Sequence, residues 1–105
     1  MKTPKVTVAT DEDGAQVVVC SGEFDLDTTE LLIEACDIAP APAGLVLDVR
    51  QVAFADSSFL NTLILLRNTR PLTLRGPLPH QMHRLLELTG ALPLFDIRDT
   101  TEHTD

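Results

Sequence analysis

Val6 and Val8 alternate with polar neighbours over residues 5–9, the period-two signature of a strand with one buried face. Asp11-Glu12-Asp13-Gly14 follows as a hairpin turn in which glycine supplies a positive φ. Residues 16–21 then read as a second, more continuously apolar strand, antiparallel to the first. There the period changes. Leu31, Leu32, Ala35, Cys36 and Ala39 recur at three- and four-residue spacing, which predicts a helix with one buried face. Asp25 or Asp27 caps its start, and Pro40-Ala41-Pro42 stops it. Residues 45–49, Leu-Val-Leu-Asp-Val after Gly44, have the short apolar pattern of a central strand covered on both faces. Asp48 falls at the end of that strand, and 49–55 reads as a crossover with Phe54 as an apolar plug.

A second helix opens at Asp56-Ser57-Ser58 and runs to about Asn68, buried through Leu60, Leu63, Ile64 and Leu66. Pro71 separates it from a strand at 72–75. Pro77 and Pro79 lead into a third helix with Met82, Leu85, Leu86 and Thr89 on one face and Gly90 just past its end. Residues 94–98 form a last strand or turn that packs Phe95 and Ile97. All five glycines and all seven prolines fall between these segments, so nothing inside an element contradicts the reading. The order β-β-α-β-α-β-α-β predicts one α/β domain, a mixed sheet of four or five strands flanked by helices.

A chain of 105 residues, 44% apolar, has room for one such domain and for a core that needs no metal or disulfide. Its net charge of −8 repels phosphate backbones and anionic lipid. Four Phe with no Trp or Tyr supply no stacking platform for single strands, so nucleic acid is excluded as a partner. Apolar runs such as 63–66 fall far short of the ~20 residues of a membrane span, and residues 1–13 are too polar for a secretory signal. Cys20 and Cys36 each sit in an apolar pattern without CxxC spacing. They read as small buried hydrophobes in a reducing, cytoplasmic compartment rather than as a redox pair or metal site.

The junction at Asp56-Ser57-Ser58 is the least ordinary stretch. Three residues that favour caps stand together at a helix start, where free N–H groups and the positive dipole end point outward. Capping alone accounts for one of them. A second reading makes one serine a modification site: a phosphoserine is accepted by the dipole, so it alters the surface without melting the fold. The added charge of about −2 would lie close to Asp56, and to Glu23 and Asp25 if the second strand runs alongside. Like charge at a docking surface costs several kcal/mol, and ~1.4 kcal/mol is already tenfold in affinity.

Gly22-Glu23-Phe24-Asp25, Leu45-Val46-Leu47-Asp48-Val49, Phe54-Ala55-Asp56-Ser57-Ser58, Leu74-Arg75-Gly76 and Leu85-Leu86-Glu87-Leu88-Thr89-Gly90 together resemble a STAS domain, specifically the bacterial anti-sigma factor antagonists. The resemblance spans about residues 5–98 and leaves 1–4 and 99–105 as short polar tails. It implies a small helix-flanked sheet and phosphorylation of the serine after the aspartate, Ser57. It further implies an anti-sigma factor with serine-kinase activity as partner, a phosphatase that reverses the modification, and release of a sigma factor by the unmodified antagonist. Glu23, Asp25, Asp56, Ser57, Ser58 and Phe59 are then the expected partner-binding residues. The family usually has glycine after the Ser-Ser pair; Phe59 stands there instead, either turned inward as core or outward as an apolar contact. The family also implies an alternative: a docking module, never phosphorylated, in a signalling or transporter-ATPase complex.

Other constellations are ordinary. His80, His83 and His103 are remote in sequence from Ser57 and Ser58, and no Gly-x-Ser-x-Gly elbow is present, so a hydrolase is disfavoured. His80, His83 and Glu87 share one helix face, which reads as solvated rather than as a metal site. The acids at 11–13 and at Asp25 and Asp27 belong to a turn and a helix start. No glycine spacing fits a nucleotide cradle, and no cofactor or catalytic residue is expected.

Overall fold

The computed structural model describes residues 3–10, 14, 16–25, 28–38 and 44–99. The elements are β1 (Lys5–Thr10), β2 (Gln16–Phe24), α1 (Thr29–Ile38), β3 (Leu45–Ala55), α2 (Ser57–Thr69), β4 (Leu72–Gly76), α3 (His80–Thr89), a short 3-10 turn (Leu92–Leu94) and β5 (Asp96–Asp99). They form one sheet in the order β1-β2-β3-β4-β5, with β1 antiparallel to β2 and every other neighbour parallel. The hairpin turn at 11–13, Asp27 and the helix stop at 40–42 lie outside the described residues.

Parallel crossovers are right-handed in nearly all proteins, and successive strands here are added in one direction, so α1, α2 and α3 fall on the same face of the sheet. The burial pattern agrees. Val18, Cys20 and Phe24 of β2, Leu45, Leu47 and Val49 of β3 and Leu74 of β4 join Leu32, Cys36, Phe59, Leu63, Met82 and Leu86 of the helices in one core. On the opposite face Thr7, Val19, Asp48, Arg75 and Arg98 stand in register across all five strands.

Asp48 is therefore inside β3 rather than at its end. Its carboxylate is buried and accepts from the Arg50 amide (3.2 Å), Nε (3.0 Å) and Nη2 (2.7 Å), with Arg75 Nη1 at 3.9 Å. Burial pushes this carboxyl up, but the Arg50 hydrogen bonds and the charges of Arg50 and Arg75 outweigh it and hold it below the ordinary aspartate range. The strand runs on to Ala55 through two register shifts, each of which places an extra residue in β3: Val19 to Ser21 faces Asp48 to Gln51, and Gly22 to Glu23 faces Val52 to Phe54. Each bulge resets the in–out alternation, so the buried positions become Val49, Val52 and Ala55. That is why a strict period of two stops at Val49 in the sequence. Phe54 is consequently not a plug; it stands 45% exposed.

Two helix assignments need similar correction. Leu31 is exposed, because the buried line of α1 runs through Thr29, Leu32 and Cys36 and Leu31 sits about 100° round the helix from Leu32. Thr89 is exposed at the end of α3, where its hydroxyl donates back to the Leu85 carbonyl at 2.8 Å. Gly90 ends that helix at φ 75°, as its glycine predicts.

Candidate functional site

The carboxyl ends of β2 and β3 lie side by side, with Glu23 opposite Phe54 and Phe24 opposite Ala55. β2 reaches that far through Gly22, whose φ of +92° suits glycine alone. A Cβ there would run into the Thr3 carbonyl, so the chain before β1 closes against this glycine. Beyond Phe24, the Asp25 carboxylate accepts from the Thr28 amide (3.2 Å) and hydroxyl (3.0 Å), a turn that leads directly into α1.

Asp56 follows Ala55 in an extended conformation and caps α2. One carboxylate oxygen, Oδ1, accepts from the amides of Ser58 (2.9 Å) and Phe59 (3.2 Å). Asp56 thus satisfies the cap alone, and Ser57 is left exposed as the first helical residue. Ser58 is half-buried, and its carbonyl accepts from the Thr62 hydroxyl at 3.0 Å. The structure therefore brings Glu23, Asp25, Asp56, Ser57 and Ser58 to one rim. Phe59 is the exception among the expected contact residues. It is fully buried, with its ring centroid 5.1 Å from that of Phe24, because the first turn of α2 carries it over the end of β2. It is a core residue, not a surface contact.

One residue was not legible as part of the site. Gln81, in the first turn of α3, accepts from the Ala55 amide (Oε1, 2.9 Å) and donates to the Ala55 carbonyl (Nε2, 2.7 Å). A glutamine in an amphipathic helix reads as a side chain facing water. The only hint lies in the lengths, since β3 has 11 residues and its neighbour β4 has 5, leaving an unpaired edge to satisfy. Gln81 also lines an open depression of about 350 Å³ along α3, together with His80, Arg84, Leu85 and Leu88.

The remaining candidates are accounted for. His83 Nδ1 lies 3.7 Å from Glu87 Oε1, an exposed pair one turn apart, and no metal-binding cluster of three or more such side chains occurs among the described residues. Burial pushes the Cys20 thiol up, with the Cys36 thiol and Asp48 adding to the shift, so it is an inert core group. No described helix is long and apolar enough to cross a membrane.

A mixed sheet covered on one face by three helices, with an exposed serine at the Asp56-capped mouth of the second, defines a small α/β domain with a polar rim at that end. Residues 8–93 match the family model described as the Mlab STAS domain, and the chain belongs to the STAS domain family. No match was found among the curated proteins. Among solved structures, the chain is similar to an anti-sigma factor antagonist from Mycobacterium paratuberculosis, with a TM-score of 0.77 and 29% identity over 91% of this chain and 86% of that one. It shares the fold of the anti-sigma factor antagonist SpoIIAA in its unphosphorylated form, with a TM-score of 0.69 and 18% identity over 93% and 90% of the two chains. A more distant likeness is to an uncharacterised protein with a SpoIIAA-like fold from Shewanella loihica, at a TM-score of 0.52 and 7% identity over 97% and 88%.

Proposed function

We propose that this chain is an anti-sigma factor antagonist: a non-enzymatic module whose rim around Ser57 docks an anti-sigma factor and so frees a sigma factor for transcription. The observation that carries the reading is the exposed Ser57 hydroxyl at a helix mouth that Asp56 already caps. Phosphorylation there by the anti-sigma factor, acting as a serine kinase, leaves the cap and the fold in place. It adds a charge of about −2 beside Asp56 and the strand-end acids Glu23 and Asp25, which a docked partner would have to desolvate or oppose. Loss of a hundredfold or more in affinity needs only ~2.7 kcal/mol, within the reach of such repulsion. A phosphatase resets the switch. The inward turn of Phe59 supports this reading, because the residue that replaces the usual glycine adds no bulk at the mouth.

The test is incubation of the purified chain with Mg-ATP and a histidine-kinase-like anti-sigma factor from the same genome, followed by intact mass and a binding titration. One added phosphate on the wild type, none on Ser57→Ala, and a hundredfold weaker complex after modification are expected. An active kinase that leaves the chain unmodified would remove the switch. Retained binding in that case would favour a second reading, a docking module in a signalling or transporter-ATPase complex that is never phosphorylated.

A further inference from the structure

We infer that Gln81 is a positioning residue for Ser57, a side-chain clamp that stands in for a missing β-strand and fixes the peptide from which the α2 mouth is hung. The argument starts from the sheet. Pairing of β3 with β4 ends at Asp48↔Arg75, yet β3 continues to Ala55, so its last residues have a strand partner on the β2 side alone. A free strand edge carries N–H and C=O groups that need partners and lets the strand end sway. At Ala55 the carboxamide of Gln81 supplies both halves of a ladder step, accepting at 2.9 Å and donating at 2.7 Å. Only a primary amide of this length offers one acceptor and one donor side by side in the plane that a backbone neighbour would present. Ser57 is two residues further on and its own hydroxyl makes no hydrogen bond within the described residues, so its placement is inherited from Ala55 and Asp56.

The clamp also joins two elements that are far apart in sequence. Residues 55 and 81 are separated by 26 positions, and through them α3 bears on the rim formed by β2, β3 and α2. A change in how α3 sits is thereby transmitted to the serine mouth. This deepens the proposed function and rests on it as far as phosphorylation is concerned; the positioning itself is a property of the free protein.

The experiment compares the wild type with Gln81→Met, Gln81→Glu and Leu86→Val, all in the full chain. Met fills similar space and removes both bonds. Glu keeps an acceptor for the Ala55 amide but puts a carboxylate against the Ala55 carbonyl. Leu86→Val trims a buried side chain of the same helix and serves as a control for general loss of stability. Amide hydrogen exchange and 1H–15N spectra are recorded at neutral pH under native conditions. Exchange at Ala55 and Ser58 to Leu60 is expected to quicken about tenfold to a hundredfold in Gln81→Met, relative to amides of α1, and less in Gln81→Glu. Leu86→Val should move no such local signature. With a kinase that modifies the wild type, Gln81→Met should lower kcat for Ser57 by roughly tenfold or more while KM changes less, since a small misplacement of a reacting group affects kcat first. Exchange and shifts at Ser58 to Leu60 in Gln81→Met that equal those of the control would overturn the inference. A wild type that accepts no phosphate would sink the proposed function instead, and the exchange data would still decide the clamp.

Discussion

The two halves of β3 show how one strand serves two purposes. From Leu45 to Asp48 it is paired on both edges, and Leu45 and Leu47 are fully buried. From Val49 to Ala55 it is paired by a strand on one edge only and bulges twice. There it exposes Arg50, Gln51, Ala53 and Phe54, and it ends where Gln81 seizes it and Asp56 begins the cap. The first half is sheet interior on both edges, whereas the second is an arm that alternates the core residues Val49, Val52 and Ala55 with exposed positions and leads into the serine mouth. A site that must meet a partner needs the stiffness of a sheet without its burial. An arm hydrogen-bonded along one edge supplies both.

The widest gap between the halves should appear on truncation. Leu47→Ala is expected to lose about 2–5 kcal/mol in urea titration, since it removes a side chain with no exposed area from the centre of the sheet. Phe54→Ala, one strand-half away, should lose well under ~1 kcal/mol. Equal losses would mean that Phe54 is packed as tightly as Leu47. Next is Gly22→Ala, at the β2 position that supports the arm. Positive φ and collision with the Thr3 carbonyl should cost about 2–3 kcal/mol, read as a lowered urea midpoint at unchanged m-value. Asp56→Ala should cost about 1 kcal/mol through the two amides it leaves unpaired, whereas Asp56→Asn, itself a good cap, should cost much less.

The smallest effects are expected from titration. The folded-state pKa of Asp48 is lowered, so its contribution is complete above the unfolded value of about 3.9 and is lost as pH falls below it, at no more than ~1.4 kcal/mol per pH unit. Asp48→Asn should flatten that acid limb of stability against pH. Cys20 has the opposite sign. Its folded value is raised, so stability is unaffected below the unfolded thiol value of about 8.5 and falls as pH rises beyond it, a decline that Cys20→Val should remove. Melting curves across both windows check the two signs.

The element order and the core were legible because alternation and helical spacing are local. Val18, Leu47, Leu63, Met82 and Leu86 declare their burial to near neighbours in the chain. The arm was not legible, since its bulges arise from register against β2, a partner about 30 residues away. Of the rim, Asp56, Ser57 and Ser58 were readable as a helix start, and Glu23 and Asp25 joined them once the strands were paired. Phe59 remained ambiguous because a ring in the first turn of a helix faces core or solvent according to what lies beneath it, and only the fold supplies Phe24. Gln81 could not be found from sequence, because its bonds depend on an unpaired edge that exists only after β4 has stopped short.

The rim draws on residues 23–25, 56–58 and, through the clamp, 81, none of which are neighbours until β2 and β3 lie parallel and α3 has closed over them. An unfinished chain on the ribosome, or one unravelled by heat, therefore has the serine but not the surface. Under the proposed function, a partner that reads this surface also reads whether the chain has folded, and damaged copies go unrecognised.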